Sequence, residues 1–401
     1  MSGEQLVVVG IGADGYAGLG EPARAALAKA SKIVGSRRQL SLLPAELQAK
    51  GLPWPSPLTP LLEELCAGRH PGAAVLASGN PMLYGIGATL ARRLGAGRLQ
   101  VHPHPSTLAL ACARLGWPQQ EVGLVNLLAQ PIEAAARLFA PGARFLALLA
   151  DGNQAAQLAG LLIDHGLEGA QLFLCAQLGG PGERVAEVRP AALAQSPPQE
   201  ELLSVAVACP LSGPYPHRAA GLAEQFFDHD GQITKWPIRA ITVAALAPQP
   251  NLVLWDVGAG SGSVGIEWLR LAGAGRVIAV ERDRRRAERI AANGRRFGLV
   301  GLEVVEGEAP AALAQLPAPQ RIFIGGGLDR EGLVERCLER LDPGGVVVAN
   351  ATTLESEALL AQAQRRHGGQ LLRIELADVA PLGRFRAYHH RQPILQWRLE
   401  R

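Results

Sequence analysis

Charged and aromatic residues are both scarce in this sequence, at 19% and 4% of 401 residues. The formal net charge is only +3, and Lys and Arg form no long block. A protein that binds nucleic acid needs a basic surface, so we expect no nucleic-acid partner. The 47 Gly and 29 Pro are spread along the chain rather than clustered, which excludes a low-complexity protein.

The sequence has only five cysteines, and no two of them form a CxxC motif. A scattered, odd-numbered set indicates buried thiols in a reducing compartment, so we expect no metal site. The first residues lack a cationic segment before the first apolar run, and no uncharged apolar run reaches the roughly 20 residues of a membrane helix. These observations predict a cytoplasmic protein without membrane association.

The length of the chain and its pattern of apolar runs predict two α/β domains. Seven runs alternate with helical patterns in the second half, which is typical of a doubly wound sheet with an antiparallel last strand. Six similar runs occur in the first half. We predict domains at 1–210 and 225–401, joined by a linker at 211–224 that is rich in Pro and Gly. The runs begin at residues 6, 73, 98, 144, 172 and 202, and then at 252, 276, 302, 321, 345, 371 and 394.

A Gly-rich loop follows the first run of the second half, with Gly258, Gly260 and Gly262. The next run ends in Glu281, where a carboxylate can bind both hydroxyls of a ribose. Asp256 precedes the glycines, where its carboxylate would repel a pyrophosphate and attract the cationic S-adenosylmethionine (SAM). The loop therefore favours SAM over a dinucleotide, with Asp256 and the three glycines as candidate cofactor contacts. The alternative is a tight strand–helix connection without a ligand.

Residues 250–400 resemble a class I SAM-dependent methyltransferase, a Rossmann-like fold of seven strands. The stretches "HDGQITKWPIRAITVAAL" at 229, "IFIGGG" at 322 and "NATTLES" at 350 make the region similar to the decarboxylating C15-methyltransferase domain of corrin biosynthesis. The resemblance implies that Thr234 reaches the carboxylate end of SAM and that Glu308 and Ala309 contact its adenine. Thr234 is equally compatible with a helix N-cap.

A second Gly-rich loop opens the chain, with Gly10, Gly12 and Gly15, but Arg37 and Arg38 stand where an acid would follow. Alone, this pattern is compatible with NADP. Together with "SGNPMLYGIGATL" at 78, "HPSTLALACARLG" at 104 and "CAQLGGPGERV" at 175, it resembles the tetrapyrrole methylase family, a two-lobed SAM fold. Ser106 is also the predicted N-cap of a helix that ends near Gly116.

The resemblance to tetrapyrrole methylases implies that Gly10 and Gly12 face the substrate. It implies a SAM pocket formed by Gly79, Asn80, Leu83, Ser106, Thr107 and Leu178. Asn80 replaces the usual Asp of that family and brings no charge to the cofactor. The alternative for this stretch is an ordinary turn, because Gly-Asn-Pro favours turns.

Two SAM folds in one chain imply two methyl transfers to one substrate, with one SAM site in each domain and no metal. The resemblances imply methylation of precorrin-6B at C5 by the first domain, and methylation at C15 with loss of the ring C acetate carboxyl by the second, giving precorrin-8X in cobalamin biosynthesis. They also imply a homo-oligomer. The alternatives are a methyltransferase acting on RNA or another small molecule, an NADP oxidoreductase and a SAM sensor.

This chemistry needs alignment of the reacting atoms more than a nucleophile, and the sequence shows no Ser-His-Asp or Cys-His set. A general acid can assist decarboxylation, and the candidates are His229, Lys235, His389 and His390. The substrate is a polycarboxylate, so Arg239, Arg384 and Arg386 are candidates for binding it, with Arg391 in the same basic cluster. Each of these side chains is equally compatible with a solvated surface position.

Overall fold

The computed structural model describes residues 5–199 and 203–401, which divide into two compact units. The first unit ends at Pro214 and the second begins at Tyr215, except that the short segment Glu133–Arg137 groups with the second unit. Within the described part of the chain, no helix is long and apolar enough to cross a membrane. All five cysteines lie within the described residues, and they form no disulfide there. No group of three or more His, Cys, Asp or Glu among the described residues has the arrangement of a metal site.

The first unit begins with a parallel sheet of five strands, in the order β3-β2-β4-β1-β5. Val9 packs on one side of this sheet with Leu27, and Val8 packs on the other side with Leu62. Burial on both faces explains the continuous apolar run at residue 6. The elements are β1 Leu6–Ile11, α1 Glu21–Lys29, β2 Ile33–Gly35, α2 Arg37–Ser41, α3 Ala45–Gln48, β3 Gly51–Pro53, α4 Thr59–Cys66, β4 Ala74–Ser78, α5 Ile86–Leu94 and β5 Leu99–His102.

A second, mixed sheet of five strands completes this unit, in the order β6-β7-β10-β8-β9. Only β6 and β7 run parallel, and the other neighbours are antiparallel. Ser106 caps α6 as predicted, since its Oγ accepts the N–H of Ala109 at 3.1 Å, and Gly116 ends the helix with φ 64°. The elements are α6 Thr107–Leu115, β6 Val122–Asn126, β7 Arg144–Leu148, α7 Gly152–Asp164, β8 Gln171–Ala176, β9 Arg184–Val188, α8 Pro190–Gln195 and β10 Leu203–Ala208.

The second unit is a seven-stranded sheet in the order β13-β12-β11-β14-β15-β19-β16, covered by helices. Trp255 packs on one side and Leu254 on the other. The last strand lies between β15 and β16 and is antiparallel to both, as predicted. The elements are α9 Trp236–Ala245, β11 Leu252–Val257, α10 Ser263–Ala272, β12 Gly275–Glu281, α11 Arg284–Arg296, β13 Leu302–Glu306, β14 Arg321–Ile324, α12 Leu333–Arg340, β15 Val346–Ala351, α13 Leu354–His367, β16 Gln370–Ile374 and β19 Ile394–Glu400.

Two features of the second unit differ from the predictions. A separate two-stranded hairpin, β17 Ala377–Leu382 and β18 Phe385–His390, stands between β16 and β19. The sequence did not predict it, because most of its side chains are exposed and show no core-facing pattern. The N-cap of α9 is Lys235, without a side-chain hydrogen bond, so Thr234 does not cap the helix.

Candidate functional site

A cavity of about 760 Å³ lies in the second unit, at the carboxyl ends of its parallel strands. This edge is where open α/β sheets bind ligands, because the loops that leave the strands diverge there. The cavity is lined at the end of β11 by 257–261, of β12 by 280–282, of β13 by 307–309, of β14 by 325–327 and of β15 by Asn350 and Thr352. The sequence-predicted residues Thr234, Gly258, Gly260, Glu281, Glu308 and Ala309 therefore border one cavity.

The three glycines of this loop all have positive φ, at 69°, 60° and 72°. A Cβ on Gly258 would lie 2.8 Å from the Gly326 nitrogen, and one on Gly262 would lie 2.7 Å from Ile290. A Cβ on Gly260 would meet nothing closer than 3.8 Å, since this residue borders the open cavity. Gly258 and Gly262 thus permit close packing within the protein, and Gly260 leaves room for a ligand.

The Glu281 carboxylate lies directly beneath this loop and is only 5% exposed. One of its oxygens accepts the Gly260 N–H at 2.8 Å, and the other accepts the Asp283 N–H at 3.0 Å. Each carboxylate oxygen retains a further lone pair toward the cavity. This arrangement suits the predicted ribose contact, because the two oxygens are already oriented by the backbone.

Asp256 does not border the cavity, which corrects its predicted contact with the cofactor. Its neighbour Val257 faces the cavity, and strand alternation turns Asp256 toward α10, where Oδ2 accepts the Gly265 N–H at 2.9 Å. The Oδ1 atom is buried without a hydrogen-bond partner. Burial, to which the charge of Glu281 adds, raises the pKa of Asp256 to about 7, although the Gly265 hydrogen bond acts in the opposite sense.

Glu308 lies at the mouth of the same cavity and is held by two arginines. Its Oε1 is 2.9 Å from Arg330 Nη2 and 3.5 Å from Arg282 Nη1. All three side chains are well exposed, so these pairs orient the loop more than they stabilise the fold.

In the first unit, the predicted glycines lie against other predicted residues. A Cβ on Gly10 would be 2.2 Å from the Gly79 oxygen and 2.8 Å from the His104 nitrogen. A Cβ on Gly12 would be 2.5 Å from His104 Nε2. The structure therefore brings together the ends of β1, β4 and β5, where the predicted pocket lies. The space beside Gly10 and Gly12 is filled by protein atoms, so their predicted contact with substrate stays a prediction.

The Asn80 side chain forms an ordinary turn, because its Oδ1 accepts the Met82 N–H at 2.9 Å. Gly79 before it has φ 58°, and its N–H bonds the Ile11 oxygen. Leu83 and Leu178 pack in one apolar cluster with Leu108 of α6. Thr107, at the first turn of α6, follows the capping Ser106. The predicted SAM-pocket residues of this unit thus lie around two backbone turns, the turn at Gly79 and Asn80 and the first turn of α6.

Comparisons with known proteins agree with both halves of this description. Residues 5–194 match the family model of tetrapyrrole (corrin/porphyrin) methylases, and residues 225–401 match that of the precorrin methyltransferase domain. A precorrin-6Y C(5,15)-methyltransferase (decarboxylating) of Sinorhizobium sp is 41% identical over 98% of this chain and 95% of its own length. The protein of that name from Mycobacterium tuberculosis is 43% identical over 98% of each chain.

The chain belongs to the precorrin-6Y C(5,15)-methyltransferase (decarboxylating) family. It is a SAM-dependent methyltransferase, and the predicted fusion of a tetrapyrrole methylase with a precorrin methyltransferase is confirmed. A shorter relative, a probable cobalt-precorrin-6B C(15)-methyltransferase (decarboxylating) of Pyrobaculum calidifontis, is 35% identical over 35% of this chain and 75% of its own length.

Arg239 of this methyltransferase is not available to a substrate, which corrects its predicted role. The side chain is fully buried and pairs with Glu267, also fully buried, at 2.7 Å from Nε to Oε1. Its other nitrogens donate to the backbone oxygens of Thr234 and Leu222, and Glu267 accepts the Leu222 N–H at 2.8 Å. The Arg239–Glu267 pair holds in place the segment before α9. This segment contains Thr234, which borders the cavity.

The arginines near the last strands of the methyltransferase, which were predicted as one basic cluster, have different surroundings in the structure. Arg384 and Arg386 are exposed on the hairpin and do not line the cavity, so their predicted contact with the substrate there is not supported. Arg391, after the hairpin, does line it. Among the candidate acids only Lys235 borders the cavity, since His229, His389 and His390 lie outside its lining.

Sequence reasoning missed further residues of potential function in both units. In the first unit, His104 Nε2 lies 3.2 Å from Asp14 Oδ1 beside the opening loop. The signal was an acid within the glycine motif and the histidines of "HPH" at 102. In the second unit, Asn350, Gln392 and Ile394 line the cavity. Only the position of "NATTLES" after a strand indicated that Asn350 faces a site.

Proposed function

We propose that this methyltransferase acts twice on precorrin-6B in cobalamin biosynthesis. The first unit methylates C5, and the second methylates C15 and removes the carboxyl group of the ring C acetate, giving precorrin-8X. The observation that supports this proposal is the match of one chain to two different methylase families over separate ranges, with relatives of the same double activity over its whole length. The proposal also includes one SAM site in each unit, no bound metal, and a homo-oligomer in the cytoplasm.

The cavity of the second unit fits SAM. The Gly260 backbone leaves a space that a Cβ would fill, and Glu281 presents two oriented carboxylate oxygens to ribose hydroxyls. Thr234 and Glu308, which the resemblance implies at the two ends of the cofactor, border the same cavity. When bound, SAM supplies a methyl group on a cationic sulfonium.

The protein's contribution to methyl transfer is alignment and exclusion of water. The acceptor carbon of a reduced tetrapyrrole is already enamine-like, and holding two reactants in line can supply roughly 7–11 kcal/mol. Ile238, Val257 and Val264 give the cavity apolar walls beside the Gly-rich loop. Loss of CO2 needs protonation of the ring system next to the departing carboxyl group. The proposed acid is Lys235, the sequence candidate whose side chain borders the cavity.

The test is incubation of the full chain with precorrin-6B and SAM, followed by mass spectrometry. The wild type adds two methyl groups and releases CO2. Glu281→Gln adds the C5 methyl group alone, because the amide loses the charge that binds the ribose and orients the loop. The matched control is Glu306→Gln, an exposed carboxylate paired in register with Glu281 on the neighbouring strand. It behaves as the wild type.

Two results would contradict the proposal. If Glu281→Gln still releases CO2 at the wild-type rate, the second unit does not catalyse the decarboxylation. If the wild type binds SAM and leaves the tetrapyrrole unchanged, precorrin-6B is not the substrate. That result favours an RNA or another small molecule as the substrate. Light scattering of the purified chain tests the homo-oligomer separately.

A further inference from the structure

The cavity of the second unit extends well beyond the residues expected to bind SAM. Glu281 is the last residue of β12, whereas Asn350 lies near the end of β15 and Ile394 begins β19. Four strand spacings separate β12 from β19 in the sheet, which is about 19 Å at about 4.8 Å each. The end near β15, β19 and β16 is lined by Asn350, Thr352, Ile374, Leu376, Arg391, Gln392 and Ile394. We call it the distal end.

Arg391 supplies a guanidinium group at the distal end. The orientation of this group is fixed by Asp378, an acid outside the cavity lining. Nε and Nη2 donate to the two carboxylate oxygens of Asp378, at 2.5 and 2.8 Å. The pairing lowers the pKa of Asp378 and raises that of Arg391, so both remain charged. The backbone N–H of Arg391 also bonds the Leu376 oxygen at 2.8 Å. The remaining N–H groups of the guanidinium have no hydrogen-bond partner in the part of the chain that the structure describes, and they suit a second carboxylate.

Asn350 is oriented by a buried polar network. The hydrogen bonds of this network identify which side-chain atom of Asn350 is Nδ2 and which is Oδ1. The Thr242 hydroxyl donates to the Ile238 oxygen at 2.8 Å, so its oxygen accepts from its other neighbours. The Asn350 atom 2.9 Å away must then be Nδ2, and the Gln396 atom 3.2 Å away must be Nε2. Gln396 Nε2 also donates to Asn350 Oδ1 at 2.9 Å.

Asn350 lines the cavity, and this network leaves one of its side-chain N–H groups without a partner among the described residues. Thr242 is fully buried and Gln396 is 3% exposed, so neither is available to solvent. The hydrogen bonds among these buried side chains hold Asn350 in a single arrangement. Asn350 lies near the end of β15, between the Gly-rich loop and Arg391 in the order of the sheet.

We propose that Arg391 and Asn350 form a carboxylate subsite that holds the tetrapyrrole for the reaction of the second unit. Arg391 binds a peripheral carboxylate through its free edge, and the spare N–H of Asn350 donates to a second carboxylate closer to the Gly-rich loop. Ile374, Leu376 and Ile394 pack against the apolar macrocycle. Asp378, Thr242 and Gln396 are positioning residues. This inference rests on the proposed function and names the groups that recognise its substrate.

The test compares Arg391→Gln with Arg386→Gln in the full chain. Arg386 is an exposed arginine of the hairpin outside the cavity lining, and is the matched control. CO2 release is measured against precorrin-6B concentration, and SAM affinity by calorimetry. Arg391→Gln raises KM for the tetrapyrrole about tenfold to hundredfold, as expected for loss of a charge-assisted hydrogen bond, with SAM affinity unchanged. Arg386→Gln leaves both values at the wild-type level.

Two further variants separate recognition from folding. Arg391→Lys keeps the charge and recovers part of the KM, although it loses the bidentate geometry. Asn350→Ala raises KM about tenfold without loss of the far-ultraviolet circular dichroism signal. A purely structural role for Arg391 would instead lower the melting temperature in both Gln and Lys variants and leave KM unchanged.

The outcomes distinguish this inference from the proposed function. If the wild type adds two methyl groups and Arg391→Gln has the wild-type KM, the subsite is wrong and the proposed function stands. If Arg391→Gln weakens SAM binding as much as it raises KM, Arg391 belongs to the cofactor end and the subsite is again wrong. If the wild type does not react with the tetrapyrrole, both are wrong.

Discussion

The two Gly-rich loops of this chain are similar in sequence but have different surroundings. At Gly10 and Gly12, a Cβ would lie within 2.5 Å of atoms of the same unit, Gly79 and His104. At Gly260 it would meet nothing within 3.4 Å, and the loop borders a cavity. Both loops connect the end of a parallel strand to the next element. The first uses its glycines to bring protein segments together, and the second uses Gly260 to admit a ligand.

The comparison shows what a glycine motif does and does not predict. It predicts a tight turn at the end of a strand, since only glycine tolerates both the backbone angles and the close approach. What occupies the space left by the missing side chain depends on residues far along the chain, such as His104 and Glu281. The four predictions below test this difference, in order of expected effect.

Gly10→Ala should cause the largest loss of stability. Its Cβ would overlap two backbone atoms that cannot rotate away, at 2.2 and 2.8 Å, and such overpacking costs about 1–3 kcal/mol or more. Hydrogen exchange followed by mass spectrometry should show reduced protection in residues 5–199 and unchanged protection in residues 215–401. Wild-type protection in both units would mean that the first loop has room for a ligand after all.

Gly260→Ala should weaken SAM binding more than stability. The only structural penalty is the left-handed backbone, which costs about 1–2 kcal/mol for alanine, whereas the methyl group enters the cavity. The matched control is Gly273→Ala at the end of α10, with φ 72° and nothing within 4 Å. Calorimetry should show SAM affinity of the second unit lowered about tenfold in Gly260→Ala alone. Equal affinity in the two variants would contradict the ligand role.

Asp256→Asn should change how stability depends on pH. The pKa of Asp256 rises from 3.8 to about 7 on folding, so the folded state binds the proton more tightly than the unfolded state. Its contribution to stability is present below pH 3.8 and is lost as pH rises to about 7. The amide does not titrate, so the variant should lack this decline and be at least as stable as the wild type at pH 8. Urea unfolding between pH 5 and 8 measures it.

The control for this pH effect is Asp329→Asn, an exposed aspartate that lines the cavity. It should retain the decline in stability with rising pH. If Asp256→Asn also retains it, the buried carboxyl group at position 256 is not its source.

Asn80→Asp should have the smallest effect on stability. The side chain only accepts the Met82 N–H, and an aspartate oxygen can do the same, so we expect a change within about 0.5 kcal/mol in urea unfolding. The added charge should instead raise SAM affinity of the first unit, because the cofactor is cationic. Unchanged affinity would show that position 80 serves the turn alone.

The architecture could be predicted from the sequence because the central strands of its sheets are buried on both faces. All thirteen apolar runs coincide with strands, as at "LVVVGIG" and "LVLWDV". The strands that were not predicted, β2, β3, β6, β9, β17 and β18, are very short or partly exposed. Their pairing comes from neighbours in the sheet and leaves no continuous apolar run in the sequence.

The Gly-rich loop and Glu281 of the candidate site could also be predicted, but the roles of its arginines could not. The positions of Gly260 and Glu281 follow from strand and loop spacing. Arg239 looked available for substrate, because nothing in the sequence indicates that Glu267, 28 residues later, faces it in the core. Arg386 and Arg391 are near in sequence, yet the hairpin separates them, since one lies in its exposed strand and the other beyond its end.

The position of β19 between β15 and β16 has a consequence for how the second unit is made. A chain is synthesised from its amino end at about 5–20 residues per second. Strand β16 and the hairpin leave the ribosome before β19, the only strand of the described sheet that pairs with β16. The first unit can therefore be complete while the sheet of the second still ends at β15. That exposed edge is the point at which a chaperone or a neighbouring nascent chain would engage it.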